Sequence, residues 1–207
     1  MSRTELTGQI VDFFDFIILI GLATRRSKPP RMQLNNESAV IIPVPEVESL
    51  VGGLRLQYDP VARLGVPAHI TLLYPFCAPH SLAGEIEILS EVCESITSFA
   101  FSFTEVRRFP ATAYLHPNKP EVFTQITRTL VEKWPEYKPY GGAFADVVPH
   151  LTVADRVSPE TLSVVEEHLR CRLPIQCVVR EIWVLASDDA GMWTKRASLP
   201  LANPKRN

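Results

Sequence analysis

Two short apolar segments of the sequence each carry a histidine two residues before a threonine. They are residues 67–74 (PAHITLLY) and residues 147–154 (VVPHLTVA). The polar residues of the two motifs are His69, Thr71, His150 and Thr152. Both segments are runs of apolar and β-branched residues bounded by prolines, which predicts strands. Because alternate residues of a strand point to the same face, each strand is expected to place one imidazole beside one hydroxyl, with apolar neighbours facing the core.

A single histidine on an apolar strand is more often a structural residue than a catalyst. Here two of only five histidines share the same threonine spacing and the same apolar surroundings, which favours a functional interpretation. An unperturbed pKa of about 6.5 lets one imidazole act as a base and the other as an acid near neutral pH. The threonine hydroxyls, with no base aimed at them, are suited to hold phosphate oxygens. The motifs therefore indicate phosphodiester cleavage, with no metal cluster visible nearby.

The composition is that of a globular protein with one core. The chain has 207 residues, of which 46% are hydrophobic and 21% are charged, and this length predicts one domain. A net charge of −2 argues against a protein that holds long nucleic acid mainly by neutralising phosphates, although a local basic cleft stays open. The four cysteines show no metal-binding spacing and are expected to be reduced, buried thiols of a cytoplasmic protein. They are Cys77, Cys93, Cys171 and Cys177.

Residues 1–37 are expected to form an N-terminal extension outside the main domain. Their apolar run, residues 17–23 (IILIGLA), is too short to span a membrane, and positive charges follow it instead of preceding it, so neither an anchor nor a signal peptide is predicted. The extension is interpreted either as an amphipathic helix or as a stretch added by start-site choice, with Met32 as the natural beginning. The linker composition of residues 27–36 (SKPPRMQLNN) favours the second interpretation.

The rest of the chain shows a weak internal duplication. Each half has the order strand, helix opened by Pro-Glu-Val, loop, histidine strand, helix and strand pair. The predicted strands are residues 39–44, 67–74, 99–109, a strand from 113, 147–154, 175–185 and 193–201, and the predicted helices are residues 45–58, 81–96, 120–134 and 159–170. Two similar lobes about a pseudo-two-fold axis would bring the two histidine strands to face each other across one cleft. The main domain is expected at residues 38–203, with a tail at 204–207.

The motifs His69-Ile70-Thr71 and His150-Leu151-Thr152 resemble those of the two-histidine (2H) phosphoesterase superfamily. The flanking runs GVPAHITLLYPF and PYGGAFADVVPHLTVAD are most similar to its 2′-5′ RNA ligase or RNA 2′,3′-cyclic phosphodiesterase (LigT-like) branch. The resemblance covers about residues 39–201. It implies a bilobal α+β fold, in which each lobe is an antiparallel sheet with helices on its outer side and the active site lies in the central cleft.

The resemblance also implies an activity. It is the hydrolysis of 2′,3′-cyclic phosphate RNA ends or related cyclic nucleotides without metal or cofactor, with weak 2′-5′ RNA ligation as a side reaction. One histidine would activate water, the other would protonate the leaving oxygen, and both threonines would hold the phosphate. Which histidine is the acid stays open. The expected partner is an RNA end or a small cyclic nucleotide, not a membrane, and the chain is expected to be monomeric. A non-catalytic RNA-end or nucleotide binding protein is the alternative.

Further residues near the motifs are candidates for substrate binding. Tyr74, Tyr140 and Phe144 could stack on a base, with core packing as the alternative for Tyr74, which strict alternation places opposite His69. Arg107 could supply positive charge to a phosphate, with a solvated strand end as its alternative. The remaining histidines lack a comparable neighbour and are predicted to lie on the surface. They are His80, His116 and His168.

Overall fold

The computed structural model describes residues 37–144 and 147–204. The predicted N-terminal extension, apart from its last residue, and nearly all of the predicted tail lie outside the described residues. The strands are β1 Ser38–Pro43, β2 His69–Leu73, β3 Phe99–Phe109, β4 Thr112–Pro117, β5 Leu151–Ala154, β6 Ile175–Val179, β7 Glu181–Ser187 and β8 Trp193–Pro200. The helices are α1 Glu48–Tyr58, α2 Pro60–Arg63, α3 Leu82–Ser95, α4 Pro120–Lys133 and α5 Pro159–Arg170, and short 3-10 turns lie at Pro45–Val47, Pro79–Ser81 and Pro139–Gly142.

The strands form two four-stranded antiparallel sheets, with the orders β2-β1-β7-β8 and β5-β4-β3-β6. The predicted bilobal α+β fold is therefore confirmed. Each histidine strand lies at the edge of its sheet, beside the strand that opens its half of the chain. The two halves thus contribute equivalent strand pairs, β2 with β1 and β5 with β4.

The lobes, however, are not the two halves of the sequence. β3, which ends the first half, pairs with β4 in the second sheet, and β7 returns from the second half to pair with β1. The prediction of one continuous strand at residues 175–185 is wrong, because the chain changes sheets at Arg180, between β6 and β7. An apolar strand pattern reports burial but not the sheet in which a strand is buried, so this exchange leaves no signal in the sequence.

Proline and capping residues mark the starts of two helices. Proline occupies the first turn of α4 and of α5, and Ser158 caps α5 by accepting a hydrogen bond from the Thr161 backbone N–H at 3.3 Å. α3 packs on β7 and β8, and α5 packs across β3, β4 and β5. In contrast, α1 contacts β5 and α4 contacts β2, so each of these helices reaches the histidine strand of the opposite lobe.

One hydrophobic core runs through both lobes and includes Ile70 and Leu72 from β2 and Leu151 and Val153 from β5. No helix in the two described stretches is long and apolar enough to cross a membrane. All four cysteines are free thiols. The prediction that all of them are buried is wrong for Cys171, which is exposed after the end of α5.

Candidate active site

The two histidine motifs adopt the predicted strand alternation. On β2, Ile70 and Leu72 are fully buried while His69 and Thr71 are half-buried on the other face. On β5, Leu151 and Val153 are buried and Thr152 is half-buried, with His150 immediately before the strand. Each motif therefore places an imidazole and a hydroxyl on a face that the core leaves accessible.

The two imidazoles are held by the same local contact. His69 Nδ1 lies 2.8 Å from the Pro67 carbonyl oxygen, and His150 Nδ1 lies 2.7 Å from the Val148 carbonyl oxygen. A carbonyl oxygen only accepts, so Nδ1 carries the proton in both rings and donates it to the chain two residues back. Nε2 is thereby left as the nitrogen of each ring available for chemistry.

The two motifs belong to one site. β2 and β5 are in contact across the lobes, and the His150 charge contributes to lowering the pKa of His69. Because charges interact appreciably only over short distances in this setting, this effect indicates that the two rings lie close enough to influence each other. The predicted meeting of the histidine strands is therefore confirmed at the level of the fold.

The electrostatic surroundings of the two imidazoles differ. Burial lowers the pKa of His69 to about 3, and the Arg55 guanidinium adds to the effect. Burial also lowers the pKa of His150, but the Asp155 carboxylate raises it and so favours its charged form. Desolvation and a nearby cation both disfavour an imidazolium, whereas a nearby anion stabilises it. The same motif thus stands in a cationic setting in one lobe and beside an anion in the other.

The cation near His69 belongs to a buried ion pair that the sequence reasoning missed. Arg55 and Asp59 are each 1% exposed. Arg55 donates from Nε and Nη2 to Asp59 Oδ2 at 3.1 and 2.8 Å, and from Nη1 to the Val66 carbonyl at 3.2 Å. The spacing of four residues between an arginine and an aspartate at the end of a helix is the sequence signal that could have indicated this ion pair.

His116 is a third histidine at the site, and the prediction that it lies on the surface is wrong. It is 8% exposed, and its Nδ1 has no hydrogen-bond partner within the described residues. The register that pairs Leu115 with Leu151 places His116 beside His150, and Glu105 of β3 is its partner on the other side. The other two histidines, His80 and His168, are exposed as predicted.

Aromatic rings surround His150. The rings of Phe109 and Tyr114 stack with centroids 4.4 Å apart, and their centroids lie 5.2 and 5.3 Å from that of the imidazole. Tyr114 is the register partner of Thr152 on β5. These rings limit access of water to the imidazole, which accounts for the desolvation that lowers the pKa of His150.

Tyr140, a predicted substrate-binding residue, lies against the first motif. Its side chain makes a hydrogen bond with the Thr71 hydroxyl, and its backbone N–H donates to the Tyr74 carbonyl at 2.5 Å. Its φ of 52° is in the left-handed region, which a residue with a Cβ adopts only at a cost. Phe144 follows in the same loop, with its ring centroid 5.7 Å from that of Tyr140.

The other two predicted substrate-binding residues are held by contacts within the protein. The Tyr74 phenol is buried and donates to Glu37 Oε2 at 2.5 Å. Arg107 donates from Nε to Glu105 Oε2 at 2.7 Å, and both side chains are about half exposed.

A cavity of about 510 Å³ adjoins the motifs. It is bordered by Thr71 from β2 and Pro149 from the second motif, and it extends along one side of α4. The other lining residues are Thr124, Thr127, Arg128, Val131, Glu132, Lys138, Pro139, Gly142, Phe144 and Val147. Across the described parts of the chain, no group of three His, Cys, Asp or Glu side chains is arranged as a metal site.

Comparisons with known proteins support this architecture. A family model described as the 2'-5' RNA ligase superfamily matches residues 43–191. Two solved structures of E. coli LigT are similar, each 17% identical in sequence: its complex with 3'-AMP has a TM-score of 0.51 and its complex with NADP+ a TM-score of 0.54. These matches cover 80% and 81% of this chain and 98% of each LigT chain.

The protein TT0787 of Thermus thermophilus is similar at 15% identity with a TM-score of 0.57, over 82% of this chain and all of that one. Comparison with curated proteins gave no match. At these identities the likeness to solved structures shows a shared fold.

Proposed function

The chain belongs to the 2′-5′ RNA ligase superfamily, and we propose that it is a metal-independent phosphodiesterase that hydrolyses 2′,3′-cyclic phosphate ends of RNA or related cyclic nucleotides. The observation that carries this proposal is the pair of His-x-Thr motifs, which have the same Nδ1 contact and opposite charged neighbours. Two imidazoles with different proton affinities are what concerted acid and base catalysis needs.

In this proposal His69 is the general base. Its pKa of about 3 keeps the ring neutral at physiological pH, so Nε2 can accept a proton from the attacking water. His150 is the general acid, because the Asp155 carboxylate favours its protonated form. Each such group typically contributes about 10² to 10⁴-fold in rate.

The reaction is one displacement at phosphorus. The water oxygen forms a bond to phosphorus while its proton passes to His69 Nε2. The bond from phosphorus to one ribose oxygen breaks, and that oxygen takes the proton of His150 Nε2, which yields a phosphomonoester. The hydroxyls of Thr71 and Thr152 would donate to the non-bridging oxygens, where negative charge grows in the transition state.

The same groups support weak ligation as a side reaction. A ribose hydroxyl of a second RNA end would replace water as the nucleophile, and His69 would take its proton. Water is present at far higher concentration than RNA ends, so hydrolysis is the main reaction. LigT, a protein of similar fold, has been solved in complex with 3'-AMP and with NADP+. These complexes are consistent with a nucleotide substrate for this protein. We further propose that the protein acts as a monomer in the cytoplasm.

The test is to incubate the purified protein, in the presence of a chelator, with a 2′,3′-cyclic mononucleotide and with a short RNA that ends in this group. Phosphorus NMR then identifies the product. We expect a single 2′- or 3′-phosphomonoester, and loss of turnover in both His69→Ala and His150→Ala while circular dichroism shows a retained fold. Saturable binding without any product would instead identify a nucleotide-binding protein.

A further inference from the structure

The cavity beside Thr71 has no role in the reaction described above. Its volume of about 510 Å³ is within the range of about 300–1,000 Å³ that is common for small-molecule sites. It begins at a threonine proposed to hold the scissile phosphate and continues along α4, and neither motif histidine lines it. A substrate with its reactive phosphate at Thr71 would therefore extend into it.

The cavity lining carries two cations without a partner. Arg128 of α4 and Lys138, which follows that helix, make no ion pair within the described residues. By contrast, Arg55, Arg107 and Arg108 are each bound to a carboxylate. Among the lining residues that the structure describes, Glu132 is the one carboxylate, so their charged side chains sum to +1. An unneutralised arginine and lysine at one cavity are suited to a phosphate.

A hydroxyl of the largely buried residue Thr127 also lines this cavity. Thr127 is 9% exposed and makes no side-chain hydrogen bond to another described residue, whereas the neighbouring Thr124 hydroxyl donates to the Pro120 carbonyl within the helix. The Thr127 hydroxyl is not one of the enclosed side-chain atoms that lack a partner, so it keeps access to solvent at the cavity. The cavity lining thus offers a hydroxyl donor in addition to Thr71 and the two cations.

We infer that this cavity binds a second phosphate and its nucleoside, so that the preferred substrate is an oligonucleotide end and not a cyclic mononucleotide. Arg128 and Lys138 would bind the second phosphate, Thr127 would donate to it or to the adjacent sugar, and the Phe144 ring at the cavity edge would contact the base. This inference rests on the proposed function. A cyclic mononucleotide carries a single phosphate, already held by the threonines, and would leave the +1 charge of the cavity unneutralised.

The experiment compares kcat/KM for a 2′,3′-cyclic mononucleotide and for a trinucleotide that ends in a 2′,3′-cyclic phosphate. Wild type should prefer the trinucleotide, and Arg128→Gln should reduce this preference about tenfold, as expected for one charged hydrogen bond. Lys133→Gln is the matched control, because Lys133 is an exposed cation of the same helix that does not line the cavity. The control should keep the preference of the wild type.

Salt dependence gives a second readout that a structural defect would not change. The KM for the trinucleotide should rise with salt, and loss of one phosphate contact should lower the slope of log KM against log salt by about 0.7. Equal kcat/KM for both substrates in wild type, or an equal loss on both in Arg128→Gln, would overturn the inference and leave the proposed function standing. If wild type turns over neither substrate, the proposed function fails. Titration with a 3′-phosphorylated trinucleotide then tests whether the cavity binds an oligonucleotide. Equal binding by wild type and Arg128→Gln overturns the inference, and weaker binding by the variant supports it.

Discussion

His116 is the cross-strand neighbour of His150, whereas the equivalent neighbour of His69 on β1 is Pro43. The internal duplication is thus broken beside the motif histidines. In the second lobe a titratable ring stands next to the imidazole, and its charge contributes to lowering the pKa of His150. In the first lobe that place is taken by a residue that cannot ionise. The two histidines are therefore expected to have different pKa values.

The pH dependence of kcat/KM should be bell-shaped, with its optimum on the acid side of neutrality. The rising limb reports the base His69, whose pKa is about 3, and the falling limb reports the acid His150, whose pKa lies below its usual value of 6.5. His69→Ala and His150→Ala should each lower kcat/KM at least about 100-fold. His168→Ala, at an exposed position of α5, is the control and should retain the wild-type profile. A falling limb above pH 7 would contradict the assignment of the acid.

Substitutions of two neighbours of His150 should shift the falling limb of the pH profile of kcat/KM in opposite directions. His116→Asn removes a like charge, so the falling limb should shift to higher pH. Asp155→Asn removes the stabilising anion, so the limb should shift to lower pH. Asp155 also accepts a hydrogen bond from the Thr112 hydroxyl at 2.6 Å. A merely structural defect would lower the rate in both variants without opposite shifts, and stationary limbs would count against both roles.

The motifs and the main elements could be predicted from the sequence because they depend on local patterns. The burial of Ile70 and Leu151 follows from two-residue alternation, and the start of α4 at Pro120 follows from proline chemistry. The exchange of β3 and β7 between lobes could not be predicted, since it depends on which sheet offers a free edge. The position of His116 beside His150 could not be predicted either, because it depends on the register between β4 and β5.

The charged residues around the motifs could not be predicted from the sequence for a related reason. Arg55 precedes His69 by one helix and one loop, and its side chain is recognisable as a partner of Asp59 but not as a neighbour of the imidazole. Arg128 and Thr127 lie on α4, which reaches the histidine strand of the opposite lobe. Contacts between lobes are set by packing that no local pattern reports. The sequence therefore identifies the reacting groups more readily than the groups that tune them.

The buried ion pair between Arg55 and Asp59 should be essential for stability. Asp59→Asn leaves the guanidinium buried without a counter-charge, which typically costs about 3–5 kcal/mol in the free energy of unfolding. Urea denaturation monitored by circular dichroism measures the loss. Glu105→Gln removes the carboxylate of an exposed pair with Arg107 and should change the midpoint little. Equal midpoints for the two variants would show that the buried pair adds nothing to stability.

Replacement of Tyr140 by phenylalanine should weaken the first motif without disturbing the fold. The variant loses the hydrogen bond to Thr71, so kcat should fall about two- to tenfold, in line with the net value of one such bond. Circular dichroism and the urea midpoint should match wild type, because the backbone contact to Tyr74 is kept. Tyr137→Phe is the control, since that ring packs on Phe76 and not on the motif. An unchanged kcat would mean that Thr71 is positioned without Tyr140.

Acid should destabilise the fold through His69. Its pKa is about 3 in the folded protein and about 6.5 when unfolded, so between these values the unfolded chain binds the extra proton. The free energy of unfolding should then fall as pH drops below about 6.5. His69→Asn removes this proton uptake, and its urea midpoint should decrease less than that of wild type between pH 7.5 and pH 5. His168→Asn, at an exposed position of α5, is the control and should follow wild type. Parallel curves for wild type and His69→Asn would mean that His69 titrates alike in the folded and unfolded chain, and they would remove the basis for assigning it as the neutral base.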